Sequence, residues 1–364
     1  MKVLFLITGL GIGGAERQVV DIADALSRQG HEVAICYLTG PALTIPNSKA
    51  IDIIGLQIKK SVSGFIKAYF DVRRIIRSFS PDVVHSHMFH ANILARLVRL
   101  SIRIPRLICT AHNTNEGGKL RMFAYRATAR LSDVTTNVSA EAVLAFEAKG
   151  AVAPGSMLAV SNGIDTERFR SSVAARRALR SKNGVDENTK IIVSIGRLVK
   201  QKDYFNLLRA YSFVLKNDIC TQLWIIGDGD LKSALVRESA KIGISDHVHF
   251  FGIQRNVEDW LNAADIFVLS SEWEGFGLVV AEAMACEKVV VATNAGGVSE
   301  VLGDTGFIVP IRDSIALAEA LKKALELDPD EARSLGKRAR ERVVEFYSLD
   351  RAVMRWLEIY KNRI

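Results

Sequence analysis

Thirteen short apolar runs alternate with helix-patterned stretches along the whole chain, and this alternation constrains the fold more than any other feature. In the first half the runs are KVLFLI, EVAICYL, IDIIGL, DVVHSH, RLICTAH, DVTTNV and MLAVSNG; in the second they are KIIVSIG, QLWIIGDG, HVHFFG, DIFVLSS, KVVVATNAGG and GFIVP. Continuous β-branched and aliphatic runs are typical of strands covered by helices on both faces. Several end in turn or polar residues, as strands do at the C-terminal edge of a parallel sheet. Strand and helix in alternation predict an α/β fold of doubly wound parallel sheets. At 364 residues the chain exceeds one ordinary domain, and a 49% hydrophobic content supplies two cores. The polar stretch 166 to 189 reads as a connection holding at most one short helix. The expected organisation is therefore two facing Rossmann-like domains, 1–168 and 169–348, with a helix in 349–364 packing back toward the first. Ligands are expected at the strand C-termini and in the cleft.

FLITGLGIGGAERQ, residues 5 to 18, places Gly9, Gly11 and Gly14 at the spacing G-x-G-x-x-G between a strand and a helix. Such a turn brings phosphate close to backbone N–H groups and to the positive end of a helix. A nicotinamide-cofactor site also needs a carboxylate at the end of the second strand, roughly 20 residues on. EVAICYL runs out into Leu38, Thr39 and Gly40 without one, and Asp21 and Asp24 fall inside the first helix. No cofactor is expected, which leaves another phosphate-approaching turn or glycines needed only for close packing.

Four scattered cysteines with no C-x-x-C pair argue for a reducing compartment and against a disulfide frame or structural zinc site. No apolar run approaches membrane-spanning length, and the N-terminus lacks a signal-peptide pattern, so a cytoplasmic protein is expected. The net charge of +8 is unevenly spread: residues 1 to 165 hold 19 Lys and Arg against 12 Asp and Glu, the remainder 29 against 28. Much of the excess is interleaved with apolar residues in KKSVSGFIKAYFDVRRIIRSF (59 to 79) and KLRMFAYRATARL (119 to 131). As helices these suit an anionic membrane surface, or a solvated face. No nucleic-acid motif is present, and no nucleic-acid partner is expected.

The second half carries the more specific chemistry. Gly196, Arg197 and Lys202 fall at a strand end before a helix, where a guanidinium fork and a mobile ammonium suit a diphosphate. Further on, EGFGLVVAEAMA sets Glu274 on a glycine-rich loop and Glu282 in the following helix, with the backbone N–H groups of Phe276, Gly277 and Leu278 between them. Carboxylates suit sugar hydroxyls and amides suit phosphate. A nucleotide sugar presents both.

GGAER (13 to 17), AHN (111 to 113), SNGID (161 to 165), GRL with a following QK (196 to 202), IIGDG (225 to 229) and EGFGLVVAEAMA (274 to 285) together resemble glycosyltransferase family 4. These are retaining, metal-independent transferases of GT-B architecture. The resemblance implies that Arg197 and Lys202 hold the donor diphosphate, Glu282 the ribose and Glu274 the transferred sugar, with the amides of residues 276 to 278 assisting. It implies that Gly14 approaches the donor phosphate or the acceptor, and that the main chain at Gly196, Gly252 and Ile253 lines the donor site, the last two meeting the base. His112 would reach the sugar from the first domain, with Gly13, His87 and Asn113 on the acceptor side. This chain departs from the common pattern in having Asp203 after Lys202, and Cys286, Glu287 and Lys288 where many members have Cys or Ala, Gly and Pro.

Within that family the basic first domain is similar to those of bacterial surface-polysaccharide enzymes that extend a sugar on a polyprenyl diphosphate. The expected partners are a UDP-sugar donor, a lipid-linked sugar acceptor and the inner face of the cell membrane. HSHMFH (85 to 90) could imitate a metal site through His85, His87 and His90, but no carboxylate or cysteine lies nearby in sequence, and pocket-lining histidines are the expectation. Asp228 and Asp230 are expected to serve as a cap and a surface charge. A sugar-nucleotide epimerase or hydrolase, and a non-catalytic nucleotide-sugar or membrane-binding protein, remain as alternatives.

Overall fold

The computed structural model describes residues 1–59, 61–216 and 220–361; Lys60 of the first basic segment and the last three positions of 349–364 lie outside them. The described chain divides into two compact units, one made of Met1–Gly163 with Leu349–Ile364, the other of Ile164–Ser348.

Unit 1 contains strands β1 (Lys2–Ile7), β2 (Glu32–Tyr37), β3 (Asp52–Gly55), β4 (Val83–His87), β5 (Arg106–Thr110), β6 (Val134–Asn137) and β7 (Leu158–Ala159). They alternate with helices α1 (Gly14–Arg28), α2 (Val62–Phe79), α3 (Phe89–Val98), α4 (Lys119–Thr128) and α5 (Ala140–Ala148). The sheet order is β3-β2-β1-β4-β5-β6-β7, and β1 pairs in parallel with both β2 and β4. Period-two alternation in VLFLI splits the core into two layers. Val3, Phe5 and Ile7 pack with Val19, Ile22 and Leu26 of α1, while Leu4 and Leu6 pack with Ala68, Val72 and Ile76 of α2 and Leu94 and Val98 of α3. Ser61 begins α2 by accepting the Gly64 N–H.

Unit 2 contains β8 (Lys190–Ile195), β9 (Thr221–Ile226), β10 (Val248–Gly252), β11 (Ile266–Leu269), β12 (Val289–Thr293) and β13 (Phe307–Val309), in the order β10-β9-β8-β11-β12-β13. Its helices are α6 (Val173–Lys182), α7 (Tyr204–Leu215), α8 (Lys232–Lys241), α9 (Val257–Ala263), α10 (Leu278–Ala285), α11 (Val298–Leu302), α12 (Ser314–Glu326) and α13 (Pro329–Tyr347). The connection expected at 166 to 189 holds one helix, α6, tied into unit 2 by the buried Arg180, which donates to the Ala263 carbonyl at 3.0 Å. Asp328 and Glu331 form a reciprocal capping box on α13, with Pro329 at its first turn.

A final helix, α14 (Leu349–Tyr360), belongs to unit 1, where Leu349, Val353, Trp356, Ile359 and Tyr360 join the core layer of α1. Both sheets are wholly parallel and follow one order, so each reverses direction beside its first strand: between β1 and β4, and between β8 and β11. Ligands of open parallel sheets bind beyond the strand C-termini at these reversals. The residues there are the glycine loop and His87 in unit 1, and Gly196 and Ser270 in unit 2.

Candidate active site

In unit 2 the loops leaving β8 and β11 are bound to each other. Two glycines allow the first loop its path: a Cβ on Gly227, whose φ is 136°, would collide with the Gly196 carbonyl, and one on Gly229 would lie 2.6 Å from the Leu198 carbonyl. The loop closes in a short 3-10 turn, Lys200–Lys202, and Asp203 starts α7 by accepting the Asn206 N–H. Lys202 Nζ lies 2.6 Å from Glu274 Oε1, and Ser271 Oγ donates to the same oxygen at 2.7 Å. Gln201 Nε2 donates to the Trp273 carbonyl, the Glu272 N–H to the Gln201 carbonyl, and Ser270 Oγ to the Lys202 carbonyl, each at 2.8 Å.

Glu274 is buried, and its peptide is held so closely that a Cβ on Gly296 would collide with its carbonyl. Gly277, with φ 85°, turns the chain into α10, and Glu282 is half-buried within that helix. Arg197 is exposed at the end of β8. Gly252, at φ 68°, accepts the Gly227 N–H at 2.8 Å, and Ile253 beside it is exposed. The arrangement thus sets a cation beside a carboxylate. Because both donors to Glu274 converge on Oε1, Oε2 is the oxygen suited to a hydroxyl, while Lys202 and Arg197 suit phosphate.

In unit 1, Gly13 is the extended N-cap of α1 and Gly14 its exposed first residue. A Cβ on Gly13 would collide with Glu16 Oε2. His85 and His87 of β4 and His112 beyond β5 follow one another with tilted rings. His85 is fully buried: Nδ1 pairs with Tyr360 Oη at 2.8 Å and Nε2 with Thr110 Oγ1 at 2.7 Å. Its ring is centred 4.0 Å from that of His87, whose Nδ1 is 2.9 Å from His112 Nε2.

The expectation that His85, His87 and His90 line a pocket is corrected for His85. His85 is a core histidine, His90 lies exposed on α3, and His87, at 1% exposure, meets His112 rather than solvent. His112 and Asn113 are half-buried on the loop after β5. Burial pushes the His85 and His87 imidazoles well below their ordinary range and His112 down to about 4, so all three are neutral near pH 7. Among the described residues no group of three or more His, Cys, Asp or Glu side chains is arranged to hold a metal ion.

Residues 12–168 match the family described as Glycosyltransferase Family 4, and residues 175–342 match Glycosyl transferases group 1. The chain is also 30% identical over 313 residues to the α-maltose-1-phosphate synthase of Mycobacterium tuberculosis strain CDC 1551, covering 77% of this chain and 79% of that protein. The chain belongs to the group 1/family 4 glycosyltransferases. The Escherichia coli UDP-Gal:α-D-GlcNAc-diphosphoundecaprenol α-1,3-galactosyltransferase is 22% identical, over 82% of this glycosyltransferase and 80% of its own length. The crystal structure of Anabaena HepE in complex with UDP and glucose superposes with a TM-score of 0.86 at 21% identity, covering 98% of both chains; that likeness carries the GT-B fold.

The two departures of this glycosyltransferase from its family's common pattern fall on unusual backbone. Asp203 has φ 42° and Glu287 φ 59°, the left-handed region that glycine enters without steric cost. Asp228 is not the cap of α8, whose N-cap is Leu231; it is exposed, accepts the Gly229 N–H at 2.7 Å and pairs with Lys232 at 3.3 Å. Ser271 was missed in the sequence, its one signal being its place three residues before Glu274, and Gln201, quoted within the QK motif, was given no role there.

The basic segments form α2 and α4. The first exposes Val62, Ile66 and Phe70 in one stripe that continues into Arg74 and Arg77; the second exposes Leu120 and Phe123 with Arg126. No helix among the described residues is long and apolar enough to cross a membrane.

Proposed function

We propose that this glycosyltransferase moves a hexosyl or N-acetylhexosaminyl group from a nucleotide sugar, UDP-linked, to a sugar on a polyprenyl diphosphate carrier in surface-polysaccharide assembly. Configuration at the anomeric carbon is retained and no metal takes part. The observation that carries this reading is the Lys202–Glu274 pair at the sheet reversal of unit 2. It sets a phosphate-type ligand group directly beside a hydroxyl-type one. The acceptor class is supported by the galactosyltransferase relative, and the donor class by the UDP in HepE.

In this mechanism the acceptor hydroxyl attacks the anomeric carbon from the face of the departing diphosphate. The C1–O bond to phosphate breaks, and the leaving phosphate oxygen takes the hydroxyl proton. Arg197 and Lys202 neutralise the charge that develops on the leaving group, the task a metal ion performs elsewhere, and Glu274 fixes the sugar. Glu282 holds the ribose, the amides at Phe276, Gly277 and Leu278 assist, and the main chain at Gly196, Gly252 and Ile253 lines the nucleotide. In unit 1, His112 contacts the transferred sugar as a neutral imidazole, Gly14 approaches the donor phosphate or the acceptor, Gly13 and Asn113 serve the acceptor side, and His87 acts through His112. The exposed stripe on α2 and the apolar residues of α4 bring the enzyme to an anionic membrane face.

The test is nucleoside diphosphate release from a panel of UDP-, GDP- and ADP-sugars, with and without a short-chain polyprenyl-diphosphate sugar. Release from one UDP-sugar that rises strongly with the lipid acceptor is the expected result. Release indifferent to the acceptor would make the protein a hydrolase or epimerase, and silence across the panel would leave a binding protein.

A further inference from the structure

We propose that Glu116 is a positioning residue of the transfer reaction, holding the loop that carries His112 through the His112 main-chain N–H. The inference rests on the assignment of His112 to the transferred sugar.

Glu116 lies half-buried in the NTNEGG turn after β5, four residues beyond His112, and each of its oxygens has a partner. Oε1 accepts the His112 N–H at 3.0 Å, and Oε2 accepts the hydroxyl of Tyr125 in a short bond. Tyr125, fully buried on α4, is fixed in turn by Asn92 of α3, whose Nδ2 donates to the tyrosine oxygen at 3.2 Å and to the Thr110 carbonyl at 2.9 Å. Asn92 Oδ1 accepts from Ser86 Oγ at 2.7 Å, which ties the chain back to β4, one residue before His87. Arg121 closes the turn from outside by donating to the Glu116 carbonyl at 2.9 Å, with its guanidinium 4.9 Å from the Phe89 ring centre.

The His112 ring is thereby located from two directions. Its Nε2 meets His87 Nδ1 at 2.9 Å, and its backbone is hung from Glu116. This pairing leaves Nδ1 as the ring nitrogen for a ligand. A solvated turn rich in Asn, Thr and Gly has no need of a carboxylate bonded to a buried tyrosine. Committing a half-buried carboxylate to these two bonds is sensible if the turn must be held rigidly, because misplacing a reacting group by about 1 Å costs on the order of 100-fold in rate.

The test is a double-mutant cycle with Glu116→Ala and His112→Ala, read by donor turnover, UDP affinity, and the His112 ring resonances in long-range 1H–15N spectra. Glu116→Ala is expected to lower kcat roughly 10- to 100-fold while UDP affinity changes less than about twofold. In the His112→Ala background the same substitution should change kcat less than about twofold. Glu116→Gln, which keeps an oxygen for the His112 N–H, should recover a large part of the loss. The His112 ring resonances should shift in Glu116→Ala and return toward wild type in Glu116→Gln. An equal loss in both backgrounds, or unmoved ring resonances in a folded Glu116→Ala protein, would overturn the proposal. Full activity of His112→Ala would overturn the assignment of His112 itself, while the resonance shifts would still report whether Glu116 places the ring.

Discussion

At the residue scale, the Lys202–Glu274 pair has a double consequence. With side-chain exposures of 16% and 10%, the two groups are withdrawn from water and meet at 2.6 Å, so removing either strands a largely buried charge. Lys202→Ala is therefore expected to reduce kcat/KM by about two to three orders of magnitude, the scale for losing one charge-stabilising donor, and to lower the melting temperature as well. Lys202→Arg should keep the fold but not the geometry, because a planar fork does not replace a point charge. Steady-state rates paired with thermal melts check this; near-normal turnover in a folded Lys202→Ala protein would remove the residue from the leaving-group site. Glu287 offers the opposite case. A non-glycine residue in left-handed geometry costs roughly 1–2 kcal/mol, so Glu287→Gly should raise stability by about 1 kcal/mol in urea unfolding. Asp203→Gly should be close to neutral, since the relief of strain is offset by loss of the bond to the Asn206 N–H. The resemblance marked both positions as departures in sequence, but their backbone geometry comes only from the way the loops close, which no local pattern encodes. The three neighbouring histidines were equally legible as residues and illegible as an arrangement. Alternation put His85 and His87 on one face, whereas the burial of that face depends on Tyr360 and Trp356, more than 250 positions away. Their neutrality sets a pH dependence. His112 takes a proton near 6.5 when unfolded but only near 4 when folded, and His85 and His87 shift the same way. The unfolded chain thus binds more protons below about 6.5, and folding stability falls as pH drops from 6.5 toward 4. Glu116, raised by burial, acts in the opposite sense, its contribution being lost as pH rises through its folded value. Melting temperature against pH should fall on the acid side, and His112→Gln should flatten that fall.

At the element scale, the helix and strand alternation was readable because the central strands of each sheet are buried on both faces and the helices that cover them chiefly on one, so composition and period report the layer a segment occupies. The same reasoning exposes what is odd about α2. Ala68, Val72 and Ile76 are buried as an amphipathic helix requires, yet Val62, Ile66 and Phe70 lie outside at 80%, 53% and 58% exposure. They recur every fourth residue and lead into Arg74 and Arg77, so one exposed face offers hydrocarbon at one end and guanidinium at the other. A solvated helix face has no use for the hydrocarbon. Ile66→Ser with Phe70→Ser is expected to reduce binding to anionic vesicles by at least about tenfold at any salt concentration, since two large apolar side chains represent about 1.5–3 kcal/mol each when fully buried and tenfold needs only about 1.4 kcal/mol. Arg74→Ser with Arg77→Ser should weaken binding in low salt and make little difference at high salt, where surface charge is screened. Vesicle co-sedimentation across a salt series separates the two effects, and unchanged binding in both pairs would return α2 to a solvated surface.

At the scale of the whole molecule, the two-sheet architecture was legible because each half of the sequence repeats the same rhythm, and both sheets arrive at the same strand order. A helix in 349–364 packing back toward the first domain was expected as well, but not the surface that it meets. An amphipathic last helix announces that it packs against something, but its partner is selected by the shape of a surface assembled from residues near the other terminus. Gly163 shows how closely the returning helix fits: a Cβ there would lie 2.7 Å from Ala352 Cβ and 2.8 Å from Leu349 Cα. Val353, Trp356 and Ile359 are buried to within 3% of full enclosure among Val19, Ile22 and Leu26. At about 1.5–3 kcal/mol for each large apolar side chain, these residues with Leu349 and Tyr360 contribute on the order of 10 kcal/mol, comparable with the entire net stability of a domain. Truncation after Ser348 is therefore expected to unfold unit 1 while unit 2, which lies wholly within 164–348, keeps its own cooperative transition. Calorimetry of the full chain and the truncated chain decides it: loss of one transition with retention of the other is the expected outcome. Two retained transitions would mean that the core of unit 1 closes without α14 and that the helix adds only a cover. The prediction also separates the roles of the two halves in binding. With the residues proposed for the donor, Arg197, Lys202, Glu274 and Glu282, all in unit 2, the truncated protein should still bind UDP although transfer is lost, because His112 and its supporting network belong to the unit that has come apart.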